Sequence, residues 1–186
     1  MIKKLMLVGV LVAGAGLATA TPASADERTC RGTLGAVTVD NLRVPQGASC
    51  ALNGTKVKGT IKVERGATLV AKYVRVVGNV QGENAANVRV LDFSTVGGSV
   101  QVVQGKAARV AASAVKGDIL FDDNTRAVSA ASNKVGGNVQ AFQNTGGVTI
   151  SNNRIDGNLQ CKENRPAPTG GKNIVQGSKE DQCKRL

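Results

Sequence analysis

A glycine recurs every 19 or 20 residues through most of this chain. A small polar residue follows each of these glycines, and a Val or Ile stands two positions before each of them. The glycines are Gly59, Gly78, Gly98, Gly117, Gly137, Gly157 and Gly177. A fixed period of this length is typical of repeat architectures, so it constrains the fold more than any other feature of the sequence.

Each repeat contains three short segments in which apolar and polar residues alternate, and such alternation predicts a strand with one buried face. The column before the glycines is Val57, Val76, Val96, Val115, Val135, Ile155 and Val175. A looser column is Leu69, Val88, Val110, Val128 and Val148, with Ala71, Val90, Ala112, Ala130 and Ile150 two residues later. These apolar positions recur at the repeat period, whereas the apolar positions of paired hairpin strands would be mirrored about the turn. We therefore expect an all-β fold, a single-stranded parallel β-helix (β-solenoid) with about 20 residues and three short strands per coil. Seven or so coils would make a rod about 30–35 Å long.

Polar residues follow the same period and predict ladders at the turns. One ladder is Asn133, Asn153 and Asn173, continuing Ser94 and Ser113; a second is Asn124, Asn144 and Asn164, with Asn84 in the same turn; Gln81, Gln101, Gln140 and Gln160 lie beside an inward column. Asn tolerates the left-handed conformation and can bond to its stacked copy, so we interpret these ladders as structural.

The first 25 residues have the pattern of a secretory signal peptide. Two lysines precede an apolar run, Leu5 to Ala18, and small residues end at Ala25, which predicts cleavage before Asp26. The run is too short to span a bilayer, so we expect a secreted, extracellular protein with no membrane anchor after processing. The expected organisation is a signal peptide in 1–25, an N-terminal cap and first coil in 26–55, the β-helix in 56–178, and a C-terminal cap and tail in 179–186.

The chain is basic and poor in catalytic side-chain types. It has 24 Lys and Arg against 13 Asp and Glu, a net charge of +11, and no His. Without Lys3 and Lys4 the net charge is about +9, which predicts polyanionic neighbours: anionic wall polymers, acidic polysaccharide or extracellular nucleic acid. The absence of His excludes Ser-His-Asp triads and imidazole metal sites. With four aromatic residues, Tyr73, Phe93, Phe121 and Phe142, we expect no stacking platform for sugars or single-stranded nucleic acid.

Four cysteines in an exported chain predict disulfides. Cys30 and Cys50 are 20 residues apart, and Cys161 and Cys183 are 22 apart. Because one repeat of separation places residues on neighbouring coils, we expect the pairs Cys30–Cys50 and Cys161–Cys183. Each would close a loop of about 20 residues at one end of the solenoid, where unpaired strand edges need covering.

Two charged clusters are candidate functional sites. The acidic cluster is Asp118, Asp122 and Asp123, with Arg126 or Lys106 within reach from neighbouring coils. It would suit a polysaccharide lyase or hydrolase, or a surface Ca²⁺ site. Coils of 19–20 residues leave no insertion to build a substrate cleft, so we predict no catalytic residue, no cofactor and no metal. The basic cluster is Lys56, Lys58, Lys62, Arg65, Lys72 and Arg75, which predicts electrostatic binding of a polyanion, with a solvated face as the alternative.

The Val-x-Gly-Asn-Val-Gln repeats and the Asn ladders resemble those of pectate-lyase-like right-handed parallel β-helix proteins, and the short Val/Gly coils are similar to those of bactofilin-like polymer-forming proteins. This resemblance covers residues 55–178 and implies right-handed coils. The whole chain, with its signal peptide and the stretch from Gly157 to Cys183, looks like a group of proteins exported by actinobacteria. No recognisable lyase motif is present, and export, bridges and caps distinguish the chain from bactofilins.

The leading functional hypothesis is a rigid, exported, non-enzymatic β-solenoid with a structural or adhesive, polyanion-binding role at the cell surface or in the medium. The alternative is a polysaccharide-active β-helix enzyme that uses the acidic cluster. We expect a monomer that binds an anionic wall polymer or polysaccharide. Sequence-specific nucleic-acid recognition is not expected, because no recognition helix is available.

Overall fold

The computed structural model describes residues 26–186, and the predicted signal peptide lies outside them. Within this range the chain is all-β, without a helix, and winds into a β-solenoid of eight coils. The predicted fold class is confirmed. The structure has one coil more than the seven or so expected. Residues 27–39 form a complete coil, but their polar sequence lacks the apolar pattern from which the other coils are predicted. No helix of residues 26–186 could cross a membrane.

The 25 strands, numbered in chain order, lie in three parallel sheets. Sheet A contains β1 (Glu27–Thr29), β4 (Asn41–Val44), β7 (Ile61–Val63), β10 (Val80–Glu83), β13 (Val100–Val103), β16 (Ile119–Asp122), β19 (Val139–Phe142), β22 (Leu159–Lys162) and β25 (Lys179–Asp181). Sheet B contains β2 (Gly32–Leu34), β5 (Ser49–Asn53), β8 (Thr68–Lys72), β11 (Asn87–Leu91), β14 (Ala107–Ala111), β17 (Val128–Ala131), β20 (Val148–Ser151) and β23 (Thr169–Gly171). Sheet C contains β3 (Thr38–Val39), β6 (Lys56–Val57), β9 (Arg75–Val76), β12 (Thr95–Val96), β15 (Ala114–Val115), β18 (Lys134–Val135), β21 (Arg154–Ile155) and β24 (Ile174–Val175).

Each coil contributes one strand to each sheet, and the inward residues stack into one aliphatic core. Val76, Val96, Val115 and Val135 are consecutive partners in sheet C, as the repeat predicts. The looser apolar column predicted from the sequence is wrong at coil 5. Val88 pairs with Ala108, and Val90 pairs with Val110. Ala112 therefore lies at a corner, because the alternation in coil 5 begins at an alanine and not at the first valine.

The corner from sheet C to sheet A explains the periodic glycines. The side chain after each glycine accepts a hydrogen bond from the backbone N–H one coil later. Asn79 Oδ1, for example, accepts from Ser99 N at 2.8 Å, and Asn138 Oδ1 accepts from Asn158 N at 2.8 Å. A Cβ on Gly98 would stand 2.1 Å from that Asn79 oxygen. Glycine is required because the accepting side chain occupies the space that a methyl group would take.

Two buried asparagine ladders run along the other corners, in the predicted columns. Asn124 and Asn144 are fully buried between sheets A and B, and Asn133 and Asn153 are buried between sheets B and C. Each asparagine Nδ2 donates to the next asparagine Oδ1 and to a backbone carbonyl of the preceding coil. The buried amides are therefore fully bonded, which a buried polar side chain requires.

The left-handed residues are not the ladder asparagines, contrary to the expectation from sequence. They stand one position earlier, at Asp123 and Gln143 before one ladder and at Ser132 and Asn152 before the other. Asn84 also has a positive φ, of 53°, so it belongs to this outer position and not to the ladder. The outer residue turns the chain, and the next residue points its amide inward.

Both ends of the solenoid are bridged as predicted. Cys30 and Cys50 are joined with Cα atoms 5.6 Å apart, and Cys161 and Cys183 with Cα atoms 5.2 Å apart. At the C-terminal end β25 adds a ninth strand to sheet A, and the following turn buries Cys183 and Leu186 against the core. Apolar side chains of the last coil are thereby covered.

Candidate functional site: the outer face of sheet C

The outer face of sheet C carries a row of cationic side chains along the solenoid. Because Val57 and its equivalents point inward, the residues on either side of them point outward. Six of these outward residues are exposed Lys or Arg, and they extend over coils 2 to 7. We call these residues the basic face: Lys56, Lys58, Arg75, Lys116, Lys134 and Arg154. At about 4.8 Å per coil, the row is about 24 Å long.

Most of these charges are not neutralised by neighbouring carboxylates. Lys58 Nζ lies 2.9 Å from Asp40 Oδ1. In the part of the chain that the structure describes, the other five cations of the basic face form no ion pair within 4.0 Å. Sheet A differs, since Gln81 donates to Gln101 and Gln140 donates to Gln160 in a neutral ladder on its outer surface. The outer face of sheet C thus carries a row of cations that are mostly without ion pairs within the described range.

The basic face is interrupted at coils 4 and 5 by a shallow depression. Its volume is about 310 Å³, and small residues form much of its floor. Arg75 lies on coil 3 and Lys116 on coil 5, so the two cations stand on opposite sides of it. Residues of the depression include Arg75, Val77, Thr95, Gly97, Ala114 and Lys116. A flat group such as a ring can approach the sheet here between two positive charges.

Tyr73 and Phe93 lie at the corner between sheets B and C, each two residues before a residue of the depression, Arg75 or Thr95. They hold equivalent positions on coils 3 and 4, just before Val74 and Ser94, and are 56% and 80% exposed. Two of the four aromatic side chains are therefore exposed on neighbouring coils, which bears on the expectation that the chain has no stacking platform. Sequence reasoning missed the pair because the repeat was followed through its apolar columns, whereas these aromatics stand at outer corner positions.

The six residues of the predicted basic cluster do not share one face. Lys56, Lys58 and Arg75 belong to the basic face. Lys62 points outward from sheet A, in register with Gln81. Arg65 is exposed in the turn after that strand, and Lys72, at the end of sheet B, pairs with Asp92 at 3.1 Å. Neighbours in sequence are distributed around the coil, and cations one or more repeats apart come together instead.

The predicted acidic cluster is spread along one coil. Asp118 belongs to the corner ladder, where its Oδ1 accepts from Asn138 N and Nδ2. Asp122 is four residues further along the strand, about 13 Å away at the usual strand rise. Burial raises the pKa of the Asp122 carboxyl, and the adjacent Asp123 carboxylate raises it further. Arg126 is exposed beyond the corner, and Lys106 occupies that corner on the preceding coil.

Residues 26–186 gather no three acidic or cysteine side chains closely enough to hold a metal ion. Another hollow, of about 440 Å³, lies on sheet A beside Lys62, Glu64 and Gln81, and it too is open to solvent. There Arg43 donates a hydrogen bond to Glu64 and keeps the pKa of the Glu64 carboxyl below its usual range. The hollows on the outer surfaces of sheets A and C are thus both open to solvent.

Comparison with protein-family models, with curated proteins and with solved structures returns no match for this chain.

Proposed function

We propose that the protein is exported and binds an extended anionic polymer along the basic face. The observation that carries this proposal is the row of cations along one sheet, five of them without an ion pair among residues 26–186, spaced one or two coils apart. A polymer also repeats along its axis, so one strand of it can meet the row at several points. Such binding is electrostatic and strengthens as the salt concentration falls.

The two disulfides support the export part of this proposal. Such bridges persist in oxidising compartments and are rare where thiols are kept reduced. The resemblance to proteins exported by actinobacteria and the N-terminal signal pattern agree with it. We expect the secreted protein to begin at Asp26, which mass spectrometry of the culture medium tests directly; retention of the full-length chain inside the cell would contradict export.

The role we propose is adhesive and not enzymatic. The basic face presents cations and small residues, which can hold a polymer but carry no general acid and base pair. A rigid rod with charges on one side is suited to lie along a wall polymer or matrix strand. The resemblance to polysaccharide lyases does not extend to a site, since Asp118 is used in the corner ladder.

The test compares two double variants with the same change in net charge. Lys116→Glu with Lys134→Glu alters the basic face, and Lys62→Glu with Lys106→Glu alters exposed lysines elsewhere. Binding to long-chain polyphosphate and to polyglutamate is measured across a salt series. We expect the first variant to lose at least about tenfold in affinity and to show a smaller salt slope, and the second to lose less than about threefold. Equal losses, or no binding by the native protein at low salt, would contradict the proposal.

A further inference from the structure

We infer that Tyr73 and Phe93, with the cations beside them, form a stacking site for the bases of single-stranded nucleic acid, without sequence preference. This inference rests on the proposed function, because it names the class of polyanion that part of the basic face receives. Proteins that hold single strands in this way combine cations along the backbone with exposed aromatic side chains on which bases stack.

The corner that presents Phe93 is longer than its equivalents in coils 2, 3 and 5 to 8. Two residues separate the sheet B and sheet C strands in those coils, whereas three separate them in coil 4, namely Asp92, Phe93 and Ser94, and also in coil 1. Asp92 and Phe93 have φ values of 54° and 57°, so two consecutive residues other than glycine are left-handed. The corner of coil 4 therefore holds one residue more than that of coil 3, and Phe93 is 80% exposed there.

Nothing in the packing accounts for the aromatic residues at this corner. Tyr73 also has a left-handed backbone, with a φ of 53°, and its ring is more than half exposed. A left-handed conformation costs residues with a side chain about 1–2 kcal/mol, and a mostly exposed ring contributes little burial in return. Left-handed residues occupy the same corner in coils 5 to 8, so the exposed aromatic ring, and not the backbone, distinguishes Tyr73 from its equivalents. The ion pair from Lys72 Nζ to Asp92 Oδ2, at 3.1 Å, ties coil 3 to the enlarged corner.

Cations flank the aromatic pair on both sides. Arg75 and Lys116 lie on sheet C, at the two sides of the depression. On sheet B, Arg89 and Arg109 are direct partners on consecutive strands, with like charges side by side. In the described part of the chain neither of these arginines forms an ion pair. A phosphate backbone on either side of the corner would relieve this repulsion, and an arginine plane can itself stack on a base.

The chemistry of the depression favours bases over sugars. A sugar ring carries hydroxyl groups around its edge, and each of them needs a hydrogen-bond partner when water is removed. Val77, Gly97 and Ala114 have no side-chain donor or acceptor, and Thr95 is the one hydroxyl residue beside them. The face of a nucleobase needs no such partner. The apolar floor and the aromatic pair therefore match a base that is flanked by phosphates.

The decisive measurement uses Tyr73 as its own reporter. The chain contains one Tyr and no Trp, so its tyrosine fluorescence comes from this corner alone. We expect a 12-nucleotide oligo(dT) to quench this fluorescence on binding, and an abasic strand of the same length to bind about 5- to 100-fold more weakly without quenching, since the stacking contribution is lost. Equal affinity and equal fluorescence with both strands would overturn the inference.

Variants then separate this inference from the proposed function. Phe93→Ala should weaken oligo(dT) binding about 5- to 100-fold and leave polyphosphate binding unchanged. Phe142→Ala, on sheet A, is the aromatic control and should change neither; Tyr73→Phe should retain the affinity while removing the signal. If Lys116→Glu with Lys134→Glu abolishes binding of both oligo(dT) and abasic strand but Phe93→Ala affects neither, the polyanion face stands and the base site is wrong. If an acidic polysaccharide responds to Phe93→Ala and oligo(dT) does not, the site is for sugars and the inference is overturned.

Discussion

Asn144 Oδ1 accepts hydrogen bonds from both the backbone N–H and the side-chain Nδ2 of Asn124, at 3.1 and 2.9 Å. Both residues are fully buried, and Asn144 Nδ2 donates in turn to the Phe121 carbonyl at 3.0 Å. One side chain of coil 7 therefore bonds three polar groups of coil 6. Such a residue is costly to remove, because a buried group that loses its partner carries the full desolvation penalty.

We predict that Asn144→Ala destabilises the protein by about 2–4 kcal/mol, because the buried Asn124 N–H, one hydrogen of Asn124 Nδ2 and the Phe121 carbonyl each lose the bond that Asn144 makes to them. Urea unfolding, followed by far-ultraviolet circular dichroism, measures the loss. Thr145→Ala, at the exposed neighbouring position, is the control and should change stability by less than about 0.5 kcal/mol. A similar effect of both substitutions would show that the ladder contributes nothing particular.

Gly98→Ala should destabilise strongly, since its Cβ would stand 2.1 Å from Asn79 Oδ1 and 3.0 Å from the Gly78 carbonyl oxygen. We expect a loss of about 2 kcal/mol or more. Gly35→Ala is the matched control, because no atom lies within 4 Å of a Cβ there. Combining Gly98→Ala with Asn79→Ala removes the nearest obstacle and should recover part of the loss; full additivity of the two substitutions would contradict this explanation.

Each disulfide should contribute about 3 kcal/mol, the value expected for a closed loop of about 20 residues. Paired substitutions, Cys30→Ser with Cys50→Ser and Cys161→Ser with Cys183→Ser, measure the two contributions separately in denaturant. The second pair also releases the turn that buries Leu186. We therefore expect it to promote self-association in sedimentation experiments, and monomers in both the native and reduced protein would show that the bridge does not protect that end.

The raised pKa of Asp122 predicts a pH-dependent effect on stability. Because burial favours its neutral form in the folded protein, ionisation opposes folding, so this stabilising contribution is present below the unfolded pKa and is lost as pH rises through the folded value. Asp122→Asn should therefore raise the unfolding temperature at pH 7 and have little effect at pH 3. Glu83→Gln, on the same column of sheet A two coils earlier, is the comparison. A gain that is the same at both pH values would rule out ionisation as its cause.

The fold was predictable from the sequence because a solenoid repeats its one-dimensional pattern in space. Val76 and Val96 are neighbours in the core simply because they are one coil apart in the chain. The binding surface was less predictable, since Arg75 and Lys116 are 41 positions apart and face the same side only when the corners have their observed lengths. The extra residue in the corner of coil 4, at Asp92, shows most clearly what the sequence pattern does not predict. One added residue leaves the period intact within its normal variation, yet it changes which side chain projects from the corner.

The buried asparagines begin at Asn124 and Asn133, while Val74, Ala85 and Gly105 occupy the same corners in earlier coils. Coils 1 and 2 are held by the Cys30–Cys50 bridge, and coil 5 is bonded to the ladder asparagines of coil 6, so coils 3 and 4 have neither a covalent link nor an amide ladder at two of their corners. Because each coil contacts only its neighbours, such a stretch unfolds locally while the rest of the rod stays folded. Amide hydrogen exchange should accordingly be fastest in the middle of the rod, around the corner that holds Tyr73 and Phe93. This part of the rod is then the one most able to adjust its backbone to a bound strand.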